Sequence, residues 1–501
     1  MRVCHSEGAA RRICFSLIQK QILRCAQDDI RFIVLALATA ALAGCAVGPD
    51  YERPEVQIAP AYKEAGEWKP AQPQDDLDRG KWWGVFGDPQ LDALLRQVEI
   101  SNQNVQFAEA QFRRAQALVA SSRSAYFPTL DADVSVVRSR SPAGVTGGTT
   151  AGRIVTNRSA SLSAGWEADL WGRLRRGVES SEAGAQASAA DLASARLSAQ
   201  AELAASYFVL RVLDAQKQLL DDNVAAFQKS LDLTKNRYDA GVAAKVDLVQ
   251  ALTQLKSTQA QAIDTGVQRA QLEHAIAVLI GKAPAEFSIA PAPLSLAMPR
   301  VPAGLPSELL ERRPDVAAAE RRVAAANAQI GVAKAAYFPS LILSASYGSR
   351  STDASQWFTA PSRFWSFGPA LAQSIFDAGL RRALTEQAIA DYDATVAGYR
   401  QAVLAGFQEV EDNLAALRIL GEEADVQEEA VRAARESVLL TTNQYKAGIV
   451  TYINVVAVQT AQLNNERTAV GILGRRLVAA VTLVKALGGG WSAAEIAADS
   501  R

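Results

Sequence analysis

Ala125-Tyr126-Phe127-Pro128-Thr129-Leu130 returns as Ala336-Tyr337-Phe338-Pro339-Ser340-Leu341, and Asn236-Arg237-Tyr238-Asp239-Ala240-Gly241-Val242 returns as Asn443-Gln444-Tyr445-Lys446-Ala447-Gly448-Ile449. The first pair is 211 residues apart and the second 207. Self-similarity at a long period marks duplicated architecture, so the fold has to place two equivalent units side by side. Each unit reads as a pair of strands followed by a very long helical hairpin. That suits a symmetric tube better than a globule with a pocket.

After the first Tyr-Phe-Pro the hydrophobic period becomes two. Thr129, Asp131, Asp133 and Ser135 alternate with Leu130, Ala132, Val134 and Val136, a strand with one polar and one apolar face. A loop rich in Gly, Thr and Ser, 139–157, leads to a second strand. In it Ala160, Leu162, Ala164, Trp166, Ala168 and Leu170 alternate with Ser161, Ser163, Gly165, Glu167 and Asp169. The second unit is less regular, with Leu341, Leu343, Ala345 and Tyr347 on one face, then Trp365, Phe367 and Leu371 beyond a loop. Each strand has room for roughly ten residues, enough to cross a bilayer when tilted. Four strands cannot close a barrel, and open edges are forbidden in hydrocarbon, so a membrane reading demands other copies of the chain.

No proline interrupts 172–238 or 379–445. At 1.5 Å per residue such a helix spans on the order of 100 Å and needs lateral support. Stepping four and three from Tyr392 gives Tyr392, Val396, Tyr399, Val403, Gly406, Val410, Asn413, Leu417, Leu420, Ala424, Gln427, Val431, Ala434, Val438, Thr441 and Tyr445. A mostly apolar seven-residue period held this long is the coiled-coil signature. Shifting by 207 recovers the stripe in the first unit, including Leu203, Leu210, Leu213, Leu220, Val224, Phe227, Leu231, Thr234 and Tyr238. Both helices stop at Tyr-x-x-Gly, where glycine supplies the backbone freedom of a helix end. Return helices are expected over about 246–280 and 452–487.

The organisation that follows is a signal segment over 1–44, an arm over 45–90, a first repeat over 91–281, a Pro-rich linker over 282–306, a second repeat over 307–487 and a tail over 488–501. The arm reads as an extended segment packed on the outside of the body, with helix running from near Pro89 to about Ala125. Arg24 and Arg31 precede an apolar run from Phe32 to Ala41, and Leu42-Ala43-Gly44-Cys45 follows. This has the form of a bacterial lipobox, which would start the mature chain at an acylated Cys45. Residues 1–30 fit an n-region poorly, which points to a start placed too early.

Of the 52 Lys/Arg and 53 Asp/Glu, six and three lie in 1–44, leaving 46 against 50 and a net charge of −4. Nothing there invites nucleic acid. Three of the four cysteines lie in the signal segment and the fourth is the anchor, so no disulfide is expected. One histidine, His274, remains; among Leu272, Ile276 and Leu279 it reads as a packed or solvated helix residue. With no free thiol and no His-centred site, neither a metal centre nor a nucleophile–base pair is expected, and the chain reads as no enzyme.

The ordered set Cys45-Ala46-Val47-Gly48-Pro49-Asp50-Tyr51, Trp82-Trp83 with Phe86-Gly87-Asp88-Pro89, Leu310-Glu311-Arg312-Arg313-Pro314-Asp315, the two Tyr-Phe-Pro segments and the two Tyr-x-x-Gly turns resembles the outer-membrane factor family, the TolC-like exit ducts of tripartite efflux pumps, in its lipoprotein branch found with resistance-nodulation-division transporters. The resemblance covers essentially the whole mature chain. It implies a mainly α fold with a transmembrane β-barrel: a homotrimer whose chains each give four strands to a barrel of twelve, with long coiled-coil hairpins forming a periplasmic tunnel. It also implies a passive duct for drugs and other small toxic compounds, served by an inner-membrane transporter and a periplasmic adaptor that docks at the hairpin tips. Those tips fall at Gly241-Val242 and Gly448-Ile449.

The resemblance implies a tunnel end narrowed by carboxylates on the helix after the second tip; Tyr238 and Tyr445 are further constriction candidates, or else simply the last knobs of their coiled-coil stripes. Here Asp247 stands nine residues beyond Tyr238, whereas the equivalent place holds Asn454, and Ala457 stands where another acidic residue is often found. A neutral amide selects cations less strongly than a carboxylate ring. Asp131, Asp133, Glu167 and Asp169 read as the wet face of the barrel. A type I secretion or metal-efflux duct, and in another class a lipid-anchored coiled-coil spacer, are the competing readings; the alternating strands argue against the spacer.

Overall fold

The computed structural model describes residues 46–56, 60–65, 81–140, 142, 154–294 and 312–491. Helices α1 (Pro89–Ser101) and α2 (Gln103–Ser124) lead into strands β1 (Thr129–Arg140) and β2 (Ile154–Ala168), then the hairpin α3 (Arg173–Asp239) and α4 (Lys245–Leu279). The second repeat gives α5 (Pro314–Ala335), β3 (Ser340–Ser351), β4 (Arg363–Ala372), α6 (Leu380–Lys446) and α7 (Tyr452–Ala486). Both outgoing helices have 67 residues and both return helices 35, and all four boundaries repeat at an offset of 207. Helices α2 and α5 have 22 residues each and start 211 apart, as β1 and β3 do.

The chain divides into two compact units. One comprises the described part of 1–52 with Ala117–Glu182 and Ala324–Asp393; the other comprises Arg53–Gln116, 183–323 and 394–501, and helices α2, α3, α5 and α6 run from one into the other. The first unit is built on one antiparallel sheet in the order β1-β2-β3-β4. Its strands outrun the expected loop 139–157, since Ser139 pairs with Val155 and Arg140 with Ile154.

The second unit holds the main apolar core, from α1, α3, α4, α6 and α7. The seven-residue stripe forms its spine: Tyr399, Val403, Gly406, Val410, Leu417, Leu420, Val431 and Tyr445 are buried in α6. At one step Leu414 is buried instead of Asn413, whose amide donates back to the Glu409 carbonyl at 2.6 Å. In α3, Leu203, Leu210, Leu213, Leu220, Phe227 and Thr234 are buried on the shifted stripe.

Two expectations are corrected. The helix from Pro89 breaks at Asn102: its side-chain oxygen accepts from Asn104 and Val105 N–H at 3.0 Å each, and its amide donates to the Leu279 carbonyl at 2.7 Å. The arm is not wholly outside, because Trp82, Trp83 and Phe86 are buried in the core. Rings of this size bury 150–250 Å² each, a gain that outweighs the backbone order the short turn demands. Trp82 Nε1 donates to Gln200 at 3.1 Å and Phe86 packs 4.8 Å from Phe208.

The Asn102 break has a counterpart. Arg313 Nη1 donates to the Ala486 carbonyl at 3.1 Å, so the residue before α2 and the residue before α5 cap the ends of the two return helices. Arg313 also binds Asp315 at 2.6 Å and Glu409 at 2.7 Å, which accounts for Arg313-Pro314-Asp315 as a structural pin. Glycine is forced at both joints: a Cβ on Gly281 would sit 2.2 Å from the Ser101 carbonyl oxygen, and one on Gly488 1.9 Å from that of Arg312. Of the linker, residues to 294 are described; it turns at Pro284–Glu286 and is tied down by Arg211 and Arg269, which donate to the carbonyls of Ala290 and Ile289.

Candidate functional site: the hairpin tips and the strand wall

The tips are set by local backbone chemistry. Gly241 has φ +73° and Gly448 +76°. Gly241 N–H donates to the Tyr238 carbonyl at 2.9 Å and Val242 N–H to that of Arg237 at 2.8 Å; Gly448 and Ile449 repeat this with Tyr445 and Gln444. This pair of bonds is the Schellman closure, which satisfies the last helical carbonyls only if the intervening residue is left-handed. Val242 is 66% exposed and Ile449 72%, so each rigid hairpin presents one aliphatic side chain at its end.

Beyond the turns the two tips differ. Tyr445 and Tyr452 are buried with Ala251 and Val455, their rings 5.3 Å apart and edge-on. From the other hairpin, the Arg237 guanidinium lies 4.9 Å from the Tyr445 ring and donates to the Lys446 carbonyl at 3.2 Å, while Thr234 Oγ1 lies 3.5 Å from the Tyr445 hydroxyl. Burial, with smaller contributions from Tyr445 and Asp247, pushes the Tyr452 hydroxyl up to about 12. Tyr238 is 38% exposed. The position equivalent to Tyr452 is Lys245, so the tyrosine pair of the second tip has no counterpart at the first.

Of the constriction candidates, then, Tyr445 lies in one compact cluster and Asp247 is near enough to act on it, whereas Tyr238, Asn454 and Ala457 are exposed. The Asn454 amide donates to Thr451 Oγ1 at 3.2 Å, a local bond at the start of α7. The sequence reading missed Tyr452, Arg237 and Thr234 as a group. Tyr452 could have been found as the aromatic one heptad past Tyr445; Arg237 carries no such signal, because its partner is on the other repeat.

The strand wall separates its residues by face. Register puts Leu130, Ala132, Val134 and Val136 on the same side as Ala160, Leu162, Ala164 and Trp166, with Leu341, Leu343, Ala345 and Tyr347 and then Trp365, Phe367 and Leu371. Much of this face is open, including Leu130 at 72% and Trp365 at 77%. The opposite face is polar. Asp131 pairs with Ser163, Ser163 with Ser346 and Ser346 with Ser366, an unbroken row across four strands, and Asp133 pairs with Ser161. Glu167 shares that face and forms an ion pair with Arg173 at 2.6 Å. Asp169 departs from expectation: β2 ends at Ala168, and the Asp169 carboxylate accepts from the N–H groups of Leu174 and Arg175 at 3.1 and 2.8 Å, capping α3.

At the helix-proximal end of the wall the Tyr-Phe-Pro repeats form an aromatic collar. Trp171 stacks on Phe338 at 4.7 Å and Trp166 Nε1 donates to the Tyr126 carbonyl at 2.9 Å. The chain enters here: Val47 N–H donates to the Trp171 carbonyl at 3.0 Å, Arg176 pairs with Asp50 at 2.8 Å, and Asn327 donates to the Pro49 carbonyl. Cys45 itself lies outside the described residues, as does the signal segment. Among the described residues no helix is long and apolar enough to cross a membrane, and no His/Cys/Asp/Glu cluster could hold a metal ion.

The outer membrane efflux protein family matches over residues 94–282 and 305–489, which follow the two repeats. The chain belongs to that family. The toluene efflux pump outer membrane protein TtgC of Pseudomonas putida is 31% identical over 463 residues, 91% of this chain and 95% of the relative. The pyoverdine export outer membrane protein OpmQ of Pseudomonas aeruginosa is 33% identical over 422 residues, 83% and 89% of the two chains. The solved outer-membrane channel OprN superposes with a TM-score of 0.83 at 31% identity, covering 89% of this chain and all of that one. This outer membrane efflux protein is thus an outer-membrane channel component with the α/β-barrel channel fold, serving export from the cell.

Proposed function

We propose that three copies of this efflux protein close into one duct, with their strand walls forming a twelve-stranded barrel and their hairpins a tunnel. The observation that carries this is the sheet in the order β1-β2-β3-β4, which has one face with a broad apolar band, one mostly polar face and, among the described residues, two unpaired edges. Such a wall is stable in lipid only when its edges are covered, and sister copies supply matching ones. The polar face then lines water.

The duct is passive and catalyses nothing. A periplasmic adaptor engages the tips at Gly241-Val242 and Gly448-Ile449, and an inner-membrane transporter of the resistance-nodulation-division class supplies energy and selects cargo. Drugs and other small toxic compounds fit that role, in keeping with the toluene efflux named for TtgC. At rest the tunnel end is held narrow by the Tyr445–Tyr452–Arg237 cluster, which ties one hairpin to the other. Acylated Cys45 anchors the chain beside the aromatic collar onto which residues 46–50 are pinned.

The test is conductance of the purified protein in planar bilayers together with the proteins that copurify. Heat-modifiable trimers with channel activity, bringing down an adaptor, are expected; a monomer without conductance defeats the reading. Cys45→Ala should abolish lipid labelling.

A further inference from the structure

Beyond the apolar band, the outer end of the strand wall carries a second pattern. Arg138 and Arg140 continue the outward face of β1, Arg158 continues that of β2, and Arg363 continues that of β4, where it pairs with Ser349. No Asp or Glu occurs on the outward face of any of the four strands; Asp131, Asp133 and Glu167 all lie on the polar side. Arg138 is eight residues beyond Leu130, about 27 Å along the strand and less once tilted, so the cations lie where a hydrocarbon layer ends.

A folded loop adds aromatic surface at the same level. Residues 352–362, between β3 and β4, are held by their own bonds: Asp353 accepts from Ser355, and Thr359 and Ser362 donate to the Gln356 carbonyl. Ser349, on the outward face, donates to the Trp357 carbonyl, and Arg158 donates to that of Thr352 at 3.1 Å, so the loop folds back against the outward side. It presents the Trp357–Phe358 stack, rings 4.8 Å apart with Phe358 68% exposed, while the cross-strand pair Tyr347 and Trp365 is exposed on the outward face. The corresponding stretch of the first repeat, 141–153, contains no aromatic residue.

We infer that these arginines and the aromatic loop at the outer end of the wall form a binding surface for phosphorylated lipid headgroups of the outer leaflet. Guanidinium groups bind phosphate oxygens in a bidentate fork, and exposed rings settle at the level of headgroups. The occupant follows from continuity: the ring of arginines extends the lipid-facing band, with cations where anionic headgroups lie; the outward face of the strands carries no carboxylate, and the loop's Asp353 lies near enough to act on Arg158 alone among them. The inference rests on the membrane reading of the wall.

The test uses the full-length acylated protein, with purified lipid A as the phosphorylated probe and its dephosphorylated form as control, binding followed by native mass spectrometry. Lipid A should bind the wild type more tightly than the dephosphorylated form. Arg138→Ser with Arg363→Ser should weaken lipid A by about tenfold or more. Arg350→Ser, on the opposite face, should leave it unchanged. Equal binding of the two lipids to the wild type overturns the inference, as does wild-type affinity in the double variant; if that variant fails to assemble, the lipid pair decides alone. A spin label at Leu162→Cys separates the two readings: one inaccessible to lipid-soluble quencher would sink the membrane reading itself, independently of headgroup binding.

Discussion

The two hairpins have equal lengths and close with the same turn, yet they are secured at different heights. The first is pinned at mid-length. Arg211 and Asp214, both almost fully buried, pair at 2.8 Å; Arg269 reaches Asp214 at 2.7 Å and Glu273 at 3.3 Å; and Gln90, Ala290 and Ile289 satisfy the remaining guanidinium donors. The equivalent positions in the second repeat are Arg418, Gly421, Arg476 and Ala480, and Arg418 instead makes surface pairs with Glu64 and Glu422. The second hairpin is tied along its length by Arg435 to Glu466 at 2.7 Å and Arg475 to Glu423 at 2.9 Å, and it alone is also held at its tip, by a tyrosine pair clasped from the first. Duplication fixed the backbone, and divergence of a few side chains then gave one hairpin a buried charged pin at mid-length and the other a tyrosine pair packed at its end.

Breaking that difference at mid-length should give the largest effect. Asp214→Ala leaves buried Arg211 and half-buried Arg269 without the carboxylate they share and should cost about 3–5 kcal/mol, whereas Arg418→Ala, at the surface, should cost far less. Urea unfolding of the detergent-solubilised protein checks both, and equal losses would erase the contrast. At the tips, Tyr445→Ala should destabilise by about 3 kcal/mol through the cavity it leaves, against well under about 1 kcal/mol for the exposed Tyr238→Ala. Hydrogen exchange at the tips reports the stability, and a rise in single-channel conductance for Tyr445→Ala alone reports the opening.

The turns should respond alike. Space around both glycines is open, so Gly241→Val and Gly448→Val meet no neighbour and pay only for a left-handed backbone, about 1–2 kcal/mol each. Adaptor crosslinking should fall for both while trimers persist, and unchanged crosslinking removes the turns from the docking surface.

The smallest effect is alkaline. With its hydroxyl raised from 10 to about 12, Tyr452 stays neutral in the folded tip after an unfolded one would ionise. Its contribution is therefore complete below pH 10 and is lost as pH rises from 10 toward 12. Tyr452→Phe should remove that loosening, read by a fluorophore at Ile449→Cys; identical alkaline profiles would take Tyr452 out of the account.

What could be read beforehand was whatever is periodic. The offset of 207, the heptad stripe and the Tyr-x-x-Gly stops depend on chain-local rules, and alternation in β1 and β2 predicted faces that the register reproduces. The Asn102 break was hidden because an asparagine inside a polar helix looks ordinary until its partner, the Leu279 carbonyl, is known. Trp82 and Trp83 sit in a Pro-rich arm whose composition says nothing of the core that receives them. Asp169 kept the strand's alternation one residue past its end, where helix capping took over. The Tyr445–Arg237 clasp joins residues 208 apart, and no local pattern announces such a pairing.

Everything turns on whether sister copies cover the open edges of the sheet. Cysteines placed along β1, at Ala132 and Val134, and along β4, at Phe367 and Pro369, give the direct measurement: oxidation of double variants in native membranes. Linkage of β1 to the β4 of another copy, producing covalent dimers and closed trimers that still conduct, is the result this account predicts. Chains that remain monomers for every edge pair, in membranes where the protein is active in export, would contradict it.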